Sequence, residues 1–186
     1  MHVSVGVDLV EEKAVMDWYG SLPPLWASVH IAGGFAMAPI AETSLADFRH
    51  QHDLNTVSCF LSCRGAITRI RAAIAAGSDG GRIVNIAARP VLTPTAGMVA
   101  YSSAKAAVAS MTQSLAVELA MESIWVNAVV PSIIDTPANR KAMPKSAHSA
   151  WPKVGEVASA VVQLASPQNA STSGALVPVY GQTLAG

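Results

Sequence analysis

Two apolar runs separated by one helical segment constrain the fold of this chain more than any other feature. Residues 80–86 (GGRIVNI) indicate a glycine turn that leads into a buried strand, and residues 125–131 (WVNAVVP) indicate a second strand. The segment 101–121 between them has the pattern of a helix. Near-continuous apolar strands are typical of parallel strands covered on both faces. The unit therefore predicts an α/β fold with a parallel sheet.

The remaining sequence repeats this alternation of strands and helices. With 186 residues, the chain is long enough for one domain with a sizeable core, and we predict a single domain over residues 1–186. The predicted strands are 3–8, 25–31, 82–87, 124–130 and 175–179. The predicted helices are 11–19, 45–50, 54–76, 101–121, 137–142 and 154–165.

Tyr101 and Lys105 are the first candidates for catalysis. They lie four residues apart at the start of a predicted helix, so that the phenol and the ammonium share one face. A nearby cation favours the phenolate, and we expect the pKa of Tyr101 to fall from about 10 towards neutrality. Such a phenol exchanges protons efficiently with a substrate oxygen. The same spacing also occurs in solvated surface pairs.

These features together resemble the short-chain dehydrogenase/reductase family of NAD(P)-dependent oxidoreductases. The resemblance is carried by the pair Tyr101 and Lys105, by AGG at 32–34 and by IDTP at 134–137, and it extends over essentially the whole chain. It implies a Rossmann-like three-layer sandwich, an NAD(P)H cofactor and reduction of a carbonyl or quinonoid small molecule. Within the family, AGGF at 32–35 and DTPANRKAMP at 135–144 are similar to dihydropteridine reductase.

The resemblance also assigns roles to individual residues. Tyr101 would donate a proton, Lys105 would tune it and hold the nicotinamide ribose, and Asn55 would shape a water relay to the lysine. The implied cofactor-binding residues are Asp8, Ala32, Gly33, Lys105, Pro131, Ile134 and Thr136.

Two of these residues have structural alternatives. Asn55 could equally cap the local backbone. Thr136 fits the N-cap of a short helix that begins at Pro137.

Two parts of the family pattern are missing. Ala88 stands where the family has a serine that holds the substrate oxygen, and no Gly-x3-Gly-x-Gly turn is present to cradle the pyrophosphate. The opening residues 2–9 resemble the family's third strand. We therefore expect an N-terminally truncated domain whose sheet has about five parallel strands, with residues 2–8 beside residues 25–31. We also expect weak or absent dinucleotide binding.

Composition excludes several other functions. Twelve basic residues balance twelve acidic ones, which gives no electrostatic footprint for nucleic acid or an anionic membrane. No apolar run approaches the roughly 18 residues of a spanning helix, and residues 11, 12 and 17 are acidic where a signal peptide would be basic and then apolar. We predict a cytoplasmic protein.

A low charge content favours association with a second copy. Only 13% of the residues are charged and 51% are apolar, so that burial against another subunit is expected. The resemblance implies a homodimer or higher homo-oligomer through helices 54–76 and 101–121. On the second helix, Val108, Met111, Leu115 and Leu119 should face the sheet, and a stripe of smaller residues would meet the partner: Ala107, Ser110, Ser114 and Val117. That stripe could equally be ordinary surface.

Cys59 and Cys63 are the only cysteines, and we predict that they are reduced, packed thiols. Their spacing of four on one helix does not give the opposed geometry of a disulfide. Two cysteines without further ligands make a poor zinc site. His30 ends a predicted strand and is interpreted as a structural residue, so that no metal is assigned.

Two functions follow from these observations. The presence of Tyr101, Lys105 and Asn55 favours a reductase of the short-chain type. The missing glycine turn and Ala88 favour a cofactor-free scaffold for dimerisation, regulation or ligand binding. We favour the enzyme, whose physiological substrate no residue pattern identifies.

Overall fold

Four parallel strands form the centre of the molecule. The computed structural model describes residues 6–183, and its sheet has the order β1-β2-β3-β4. The strands are β1 (Ala27–His30), β2 (Gly81–Ile86), β3 (Ile124–Pro131) and β4 (Leu176–Val179). All neighbouring strands are parallel. The sheet agrees with the predicted α/β class and with four of the five predicted strands.

The described residues form six α-helices, of which the first precedes β1 and the other five lie between strands. They are α1 (Glu12–Ser21), α2 (Leu45–His52), α3 (Ser58–Ala75), α4 (Val99–Glu118), α5 (Pro137–Ala142) and α6 (Val154–Ala165). A π-helical turn, Asp53–Val57, joins α2 to α3. Short 3-10 turns occupy Ile40–Glu42, Arg89–Val91, Ala120–Glu122 and His148–Ala150.

The helices cover both faces of the sheet, which makes three layers. On one face, α1, α3 and α4 bury a core that includes Val15, Ile70, Val108 and Leu119. On the other face, Leu164 of α6 packs with Val84 and Val129 of the sheet. Such a central sheet, buried on both sides, explains the near-continuous apolar strands.

Helix α4 follows the predicted periodicity. Val108 and Leu119 are buried, and Met111 and Leu115 pack against the same core. The small-residue stripe lies on the opposite side, where Ser110, Ser114 and Val117 are exposed. The face proposed for a partner is thus accessible in the single chain.

Helices α1 and α3 approach each other closely at a glycine. A Cβ placed on Gly65 would lie 2.2 Å from a ring carbon of Tyr19, so that only glycine allows this contact. Tyr19 is buried beneath it.

The strand predicted at the start of the chain is not confirmed. Residues 6–8 are irregular backbone, and the rest of the strand predicted for residues 2–8 lies outside the described residues. The described part of the sheet therefore has four strands rather than about five. Among the described helices, none combines the length and apolarity needed to cross a membrane.

Candidate active site

Most of the predicted site residues lie at or just after the carboxyl ends of the parallel strands. Lys105 donates from Nζ to the carbonyl oxygen of Ile86, the last residue of β2, at 2.8 Å. Gly33 follows β1 closely in sequence, and Pro131 is the last residue of β3. Ligand sites of open parallel sheets occupy this edge.

Lys105 is almost completely buried on α4. Its exposed fraction is 5%, and burial lowers the pKa of its ammonium to about 8, partly opposed by the nearby Cys59. One of its three N–H donors is used on the strand, and within residues 6–183 the other two have no partner and are available to a ligand.

Gly33 and Asn55 enclose the lysine. A Cβ on Gly33 would lie 2.7 Å from Asn55 Oδ1 and 3.4 Å from Lys105 Nζ, so that these three residues are direct neighbours. Ala32 and Gly33 themselves are exposed, which leaves their backbone open to a ligand. This is the part of the predicted site that the structure brings together.

Asn55 holds the glycine turn through its side chain. Its Nδ2 donates to the carbonyl oxygens of Gly34 at 3.0 Å and Gln51 at 2.9 Å, and its Oδ1 accepts from the Gly34 N–H at 3.3 Å. The backbone-anchoring interpretation of Asn55 is therefore confirmed. The π-helical turn Asp53–Val57 presents the side chain at this point, and π turns are frequent at functional sites.

Tyr101 lies in the first turn of α4, one turn before the lysine. Its ring packs edge-on against Phe35, with ring centroids 5.0 Å apart. Burial raises the pKa of Tyr101 to about 12. The prediction that Lys105 would lower this pKa towards neutrality is wrong for the chain alone, because desolvation of the phenol dominates and the ammonium is bonded to Ile86.

The position of the missing serine is a buried apolar wall. Ala88 is 5% exposed and follows β2. It offers no side-chain hydrogen bond to a substrate.

The segment after β3 is fixed by its own contacts. Thr136 Oγ1 accepts from the Asn139 N–H at 3.2 Å, and Pro137 starts α5, so that the N-cap interpretation is confirmed. The carbonyl oxygen of Ile134 accepts from Asn139 Nδ2 at 2.8 Å. Cofactor contacts at Ile134 and Thr136 stay a prediction.

Asp135 anchors the same segment. Its carboxylate accepts from Arg140 Nε at 2.5 Å and Nη2 at 2.9 Å, and from Lys153 Nζ at 2.5 Å. The two hydrogen bonds from Arg140, with the one from Lys153, hold the pKa of Asp135 well below its usual range. The loop between β3 and α5 is thereby tied to the start of α6.

Asp8 is the predicted residue that the structure does not connect to the site. It is exposed, and its Oδ1 accepts from the Val10 N–H at 3.1 Å in the turn before α1. Its implied role in cofactor binding stays a prediction.

A small cavity adjoins the first turn of α4. Its volume is about 260 Å³, and Gln51, whose buried side-chain oxygen has no hydrogen-bond partner among the described residues, lines it. The other lining residues are Ala36, Met37, Ala38, Thr43, Asp47, His50, Gly97 and Ala100.

Sequence reasoning missed a polar network below this site. Asn85 Oδ1 lies 2.8 Å from His30 Nδ1 and 3.5 Å from Cys63 Sγ, and Asn85 Nδ2 donates to Thr112 Oγ1 at 2.9 Å. The signal in the sequence was Asn85 itself, an asparagine within the apolar strand 80–86. An amide buried in such a strand requires hydrogen-bond partners.

Both cysteines are free and buried, as predicted. The hydrogen bond between them lowers the pKa of the Cys59 thiol and raises that of Cys63. The histidine treated alone in the sequence is their neighbour in space.

The sheet, its helical layers and the arrangement around Lys105 define a Rossmann-like α/β domain. Residues 5–147 match the family model described as short chain dehydrogenase. The chain therefore belongs to the short-chain dehydrogenase family, whose members are oxidoreductases.

Curated relatives carry dehydrogenase names. The chain is 31% identical over 176 residues to short-chain dehydrogenase srdC of Neurospora crassa, covering 87% of this chain and 63% of that protein. It is 35% identical over 171 residues to cis-4-hydroxycyclohexanecarboxylate dehydrogenase of Sinomonas cyclohexanicum, covering 88% and 66%. The chain spans 52% to 63% of the length of three such relatives.

Solved structures agree on the fold. A short chain dehydrogenase/reductase family protein superposes with a TM-score of 0.86 at 26% identity, covering 98% of this chain and 77% of the other. The structure of ElxO with NADP bound has a TM-score of 0.82 at 24% identity, covering 96% and 77%. The second similarity supports the fold alone.

Proposed function

We propose that this chain is an NAD(P)H-linked oxidoreductase that reduces a carbonyl or quinonoid small molecule, with Tyr101 as proton donor. The observation that carries the proposal is the contact of Lys105, Asn55 and Gly33 at the carboxyl edge of the sheet, one helical turn from Tyr101. A cytoplasmic location and a homodimer belong to the same proposal.

Lys105, Asn55 and Gly33 are suited to bind the nicotinamide end of a dinucleotide. The exposed backbone of Gly33 carries no side chain that would block a ligand, and among the described residues two N–H donors of the neighbouring Lys105 stay available for ribose hydroxyls. The nicotinamide supplies the hydride when it is bound. Lys105 would hold the ribose, and Asn55 would keep the glycine turn open.

Tyr101 and Lys105 have different roles in the proton transfer. With a pKa of about 12, Tyr101 is protonated at neutral pH and can act as the acid in a reduction. Lys105, with a pKa of about 8, is mostly charged at neutral pH. Its charge would stabilise the phenolate that remains after the proton has moved to the substrate oxygen.

These residues offer fewer hydrogen bonds to the pyrophosphate of the dinucleotide. A glycine turn typically donates about three charge-assisted bonds of roughly 1.5–3 kcal/mol each, and these 186 residues contain no Gly-x3-Gly-x-Gly sequence. Its lack would cost on the order of 5 kcal/mol, or roughly 10³- to 10⁴-fold in affinity. We expect this chain by itself to bind NADH or NADPH only weakly.

The first test separates binding from chemistry. Calorimetric titration with NADH and NADPH should give a millimolar dissociation constant, and a value below about ten micromolar would contradict weak binding. Turnover is then measured at high cofactor concentration with simple ketones and with a quinonoid dihydropterin, which tests the resemblance to dihydropteridine reductase.

Tyr101→Phe is the decisive variant. It should abolish turnover while the cofactor dissociation constant is unchanged, because only the proton donor is removed. Tyr180→Phe is the matched control, since the buried Tyr180 hydroxyl has no hydrogen-bond partner among the described residues. Retained turnover in Tyr101→Phe would exclude the proposed acid.

A cofactor-free scaffold is the second candidate function. Ala88 in place of a serine and the lack of a Gly-x3-Gly-x-Gly sequence in these 186 residues favour it. A folded chain that shows no heat of binding at millimolar NADH and NADPH, and no turnover, would support the scaffold.

A further inference from the structure

A cluster of metal-ligating side chains lies between β1 and α3, outside the arrangement around Tyr101. His30 ends β1, and Cys59 and Cys63 lie in the first turns of α3. One ligating atom from each of the three residues lies within 4.8 Å of the others. Their exposed fractions are 8%, 5% and 2%. We propose that His30, Cys59 and Cys63 bind one thiophilic divalent cation of the Zn²⁺ type.

The spacing of the ligand atoms agrees with a shared ion. Zn²⁺ binds a thiolate at about 2.3 Å and an imidazole nitrogen at about 2.0–2.1 Å in a tetrahedral arrangement, which places sulfur and nitrogen about 3.5 Å apart. Cys63 Sγ lies 3.5 Å from His30 Nδ1. The separations that involve Cys59 Sγ are at most 4.8 Å.

A hydrogen bond orients the histidine ring for this role. His30 Nε2 lies 2.9 Å from Ser28 Oγ, and that hydroxyl lies 3.2 Å from Tyr19 Oη. When Nε2–H donates to the serine, Nδ1 is left with a lone pair that points to the cysteine side of the ring. Metal-binding histidines typically donate their second nitrogen in this manner.

Asn85 supplies an oxygen for the fourth position. Its Oδ1 lies 3.5 Å from Cys63 Sγ and 2.8 Å from His30 Nδ1. In the absence of a metal, Nδ1–H would instead donate to this oxygen and the four residues would form a closed polar network. Metal binding and this proton are therefore mutually exclusive at Nδ1.

The residues come from two elements that only the tertiary fold brings together. The two cysteines occupy one turn of α3, and the histidine belongs to the edge strand of the described sheet. A bound ion would cross-link that strand to the helix behind it. Because the ligands must be deprotonated and correctly placed only in the folded chain, binding would stabilise the fold.

Co²⁺ is the spectroscopic probe for this site. We expect the reduced full chain to bind one equivalent, with the intense thiolate-to-cobalt absorption and the visible bands of tetrahedral coordination, and Zn²⁺ should displace it. Zn²⁺ should also raise the melting temperature with a dependence on its concentration.

Variants assign the ligands. His30→Asn and Cys63→Ser should each weaken Zn²⁺ binding by more than about 100-fold, and Ser28→Ala should weaken it by about 10- to 100-fold, as is typical of residues that orient a ligand. His50→Asn on α2 is the matched control, because this exposed histidine lies outside the cluster, and it should leave binding unchanged.

The outcomes are unambiguous. If folded wild-type chain shows no thiolate-to-cobalt absorption, or if His30→Asn binds Zn²⁺ as tightly as the wild type, the proposal is overturned and the cluster is only a polar network. Where a ligand variant does not fold, the wild-type spectrum and the Ser28→Ala titration decide the matter.

Discussion

Lys105 makes the stability of this chain depend on pH in a specific direction. Its folded pKa of about 8 lies below the ordinary value of 10.5 because the ammonium is buried. Between these two values the unfolded chain binds more protons than the folded chain, so that stability rises with pH. Below pH 8 the full cost of burying the charge is present.

We predict that Lys105→Met abolishes this rise. From pH 8 to pH 10 the unfolding free energy of the wild type should increase by on the order of 2 kcal/mol relative to the variant. Urea unfolding at a series of pH values measures it. The control is Lys13→Met, since the exposed Lys13 pairs with Asp17 and its pKa is raised. Equal pH slopes for the wild type and Lys105→Met would show that the lysine is not desolvated.

Gly33 is the second residue at which a substitution should change the stability of the fold. Gly33→Ala would place a Cβ 2.7 Å from Asn55 Oδ1, which must move and release the Gly34 backbone. We predict a loss of about 1–3 kcal/mol in unfolding free energy, because part-buried hydrogen bonds between Asn55 and Gly34 are broken.

The matched control for Gly33 is Gly155→Ala. Gly155 lies in α6 and an added Cβ meets nothing within 4 Å, so that alanine should stabilise the helix by about 0.5–1 kcal/mol. Denaturant unfolding of both variants gives the comparison. An unchanged midpoint for Gly33→Ala would mean that the site is less tightly packed than described.

At the residue scale, the sequence predicted which side chains belong to the site better than it predicted the surroundings of those side chains. Tyr101, Lys105, Asn55 and Gly33 were recognised because the family motif fixes their spacing. The raised pKa of Tyr101 was not anticipated, because desolvation depends on which side chains cover the phenol. Likewise, the neighbours of His30 follow from the packing of β1 on α3 and not from any local pattern.

At the scale of elements, apolar periodicity was sufficient for most helices and strands. Helix α4 was predicted within a few residues, and its buried stripe was predicted correctly. The π turn Asp53–Val57 was not predicted, since one extra residue per turn leaves no clear signal in composition. That turn presents Asn55 to Gly34.

We predict that α3 and α4 form a homodimer contact. Ser114→Arg should convert the dimer to a monomer, because an unpaired charge would be buried in the seam. Ser159→Arg is the control, because this exposed serine lies on α6, which covers the other face of the sheet. Light scattering at tens of micromolar measures the mass. A monomeric wild type, or a Ser114→Arg dimer, would contradict the contact.

At the scale of the molecule, the class of fold followed from the alternation of strands and helices, and the number of strands did not. Four parallel strands are present in the described part of the chain. The strand predicted for residues 2–8 was supported by the resemblance of this segment to the family's third strand, and its described residues 6–8 are irregular backbone. Local preference is a weak guide where sheet neighbours decide.

The edge of β1 that faces away from β2 affects how the protein behaves in solution. Within residues 6–183 no strand pairs with that side, and Val29 and Ile31 nearby are 37% and 70% exposed. Free main-chain donors and acceptors on a sheet edge can template a strand from another molecule. Two such edges that pair about a two-fold axis would close into a dimer, whereas pairing of the β1 edge with the β4 edge of the next molecule would continue and give slow precipitation on warming or storage.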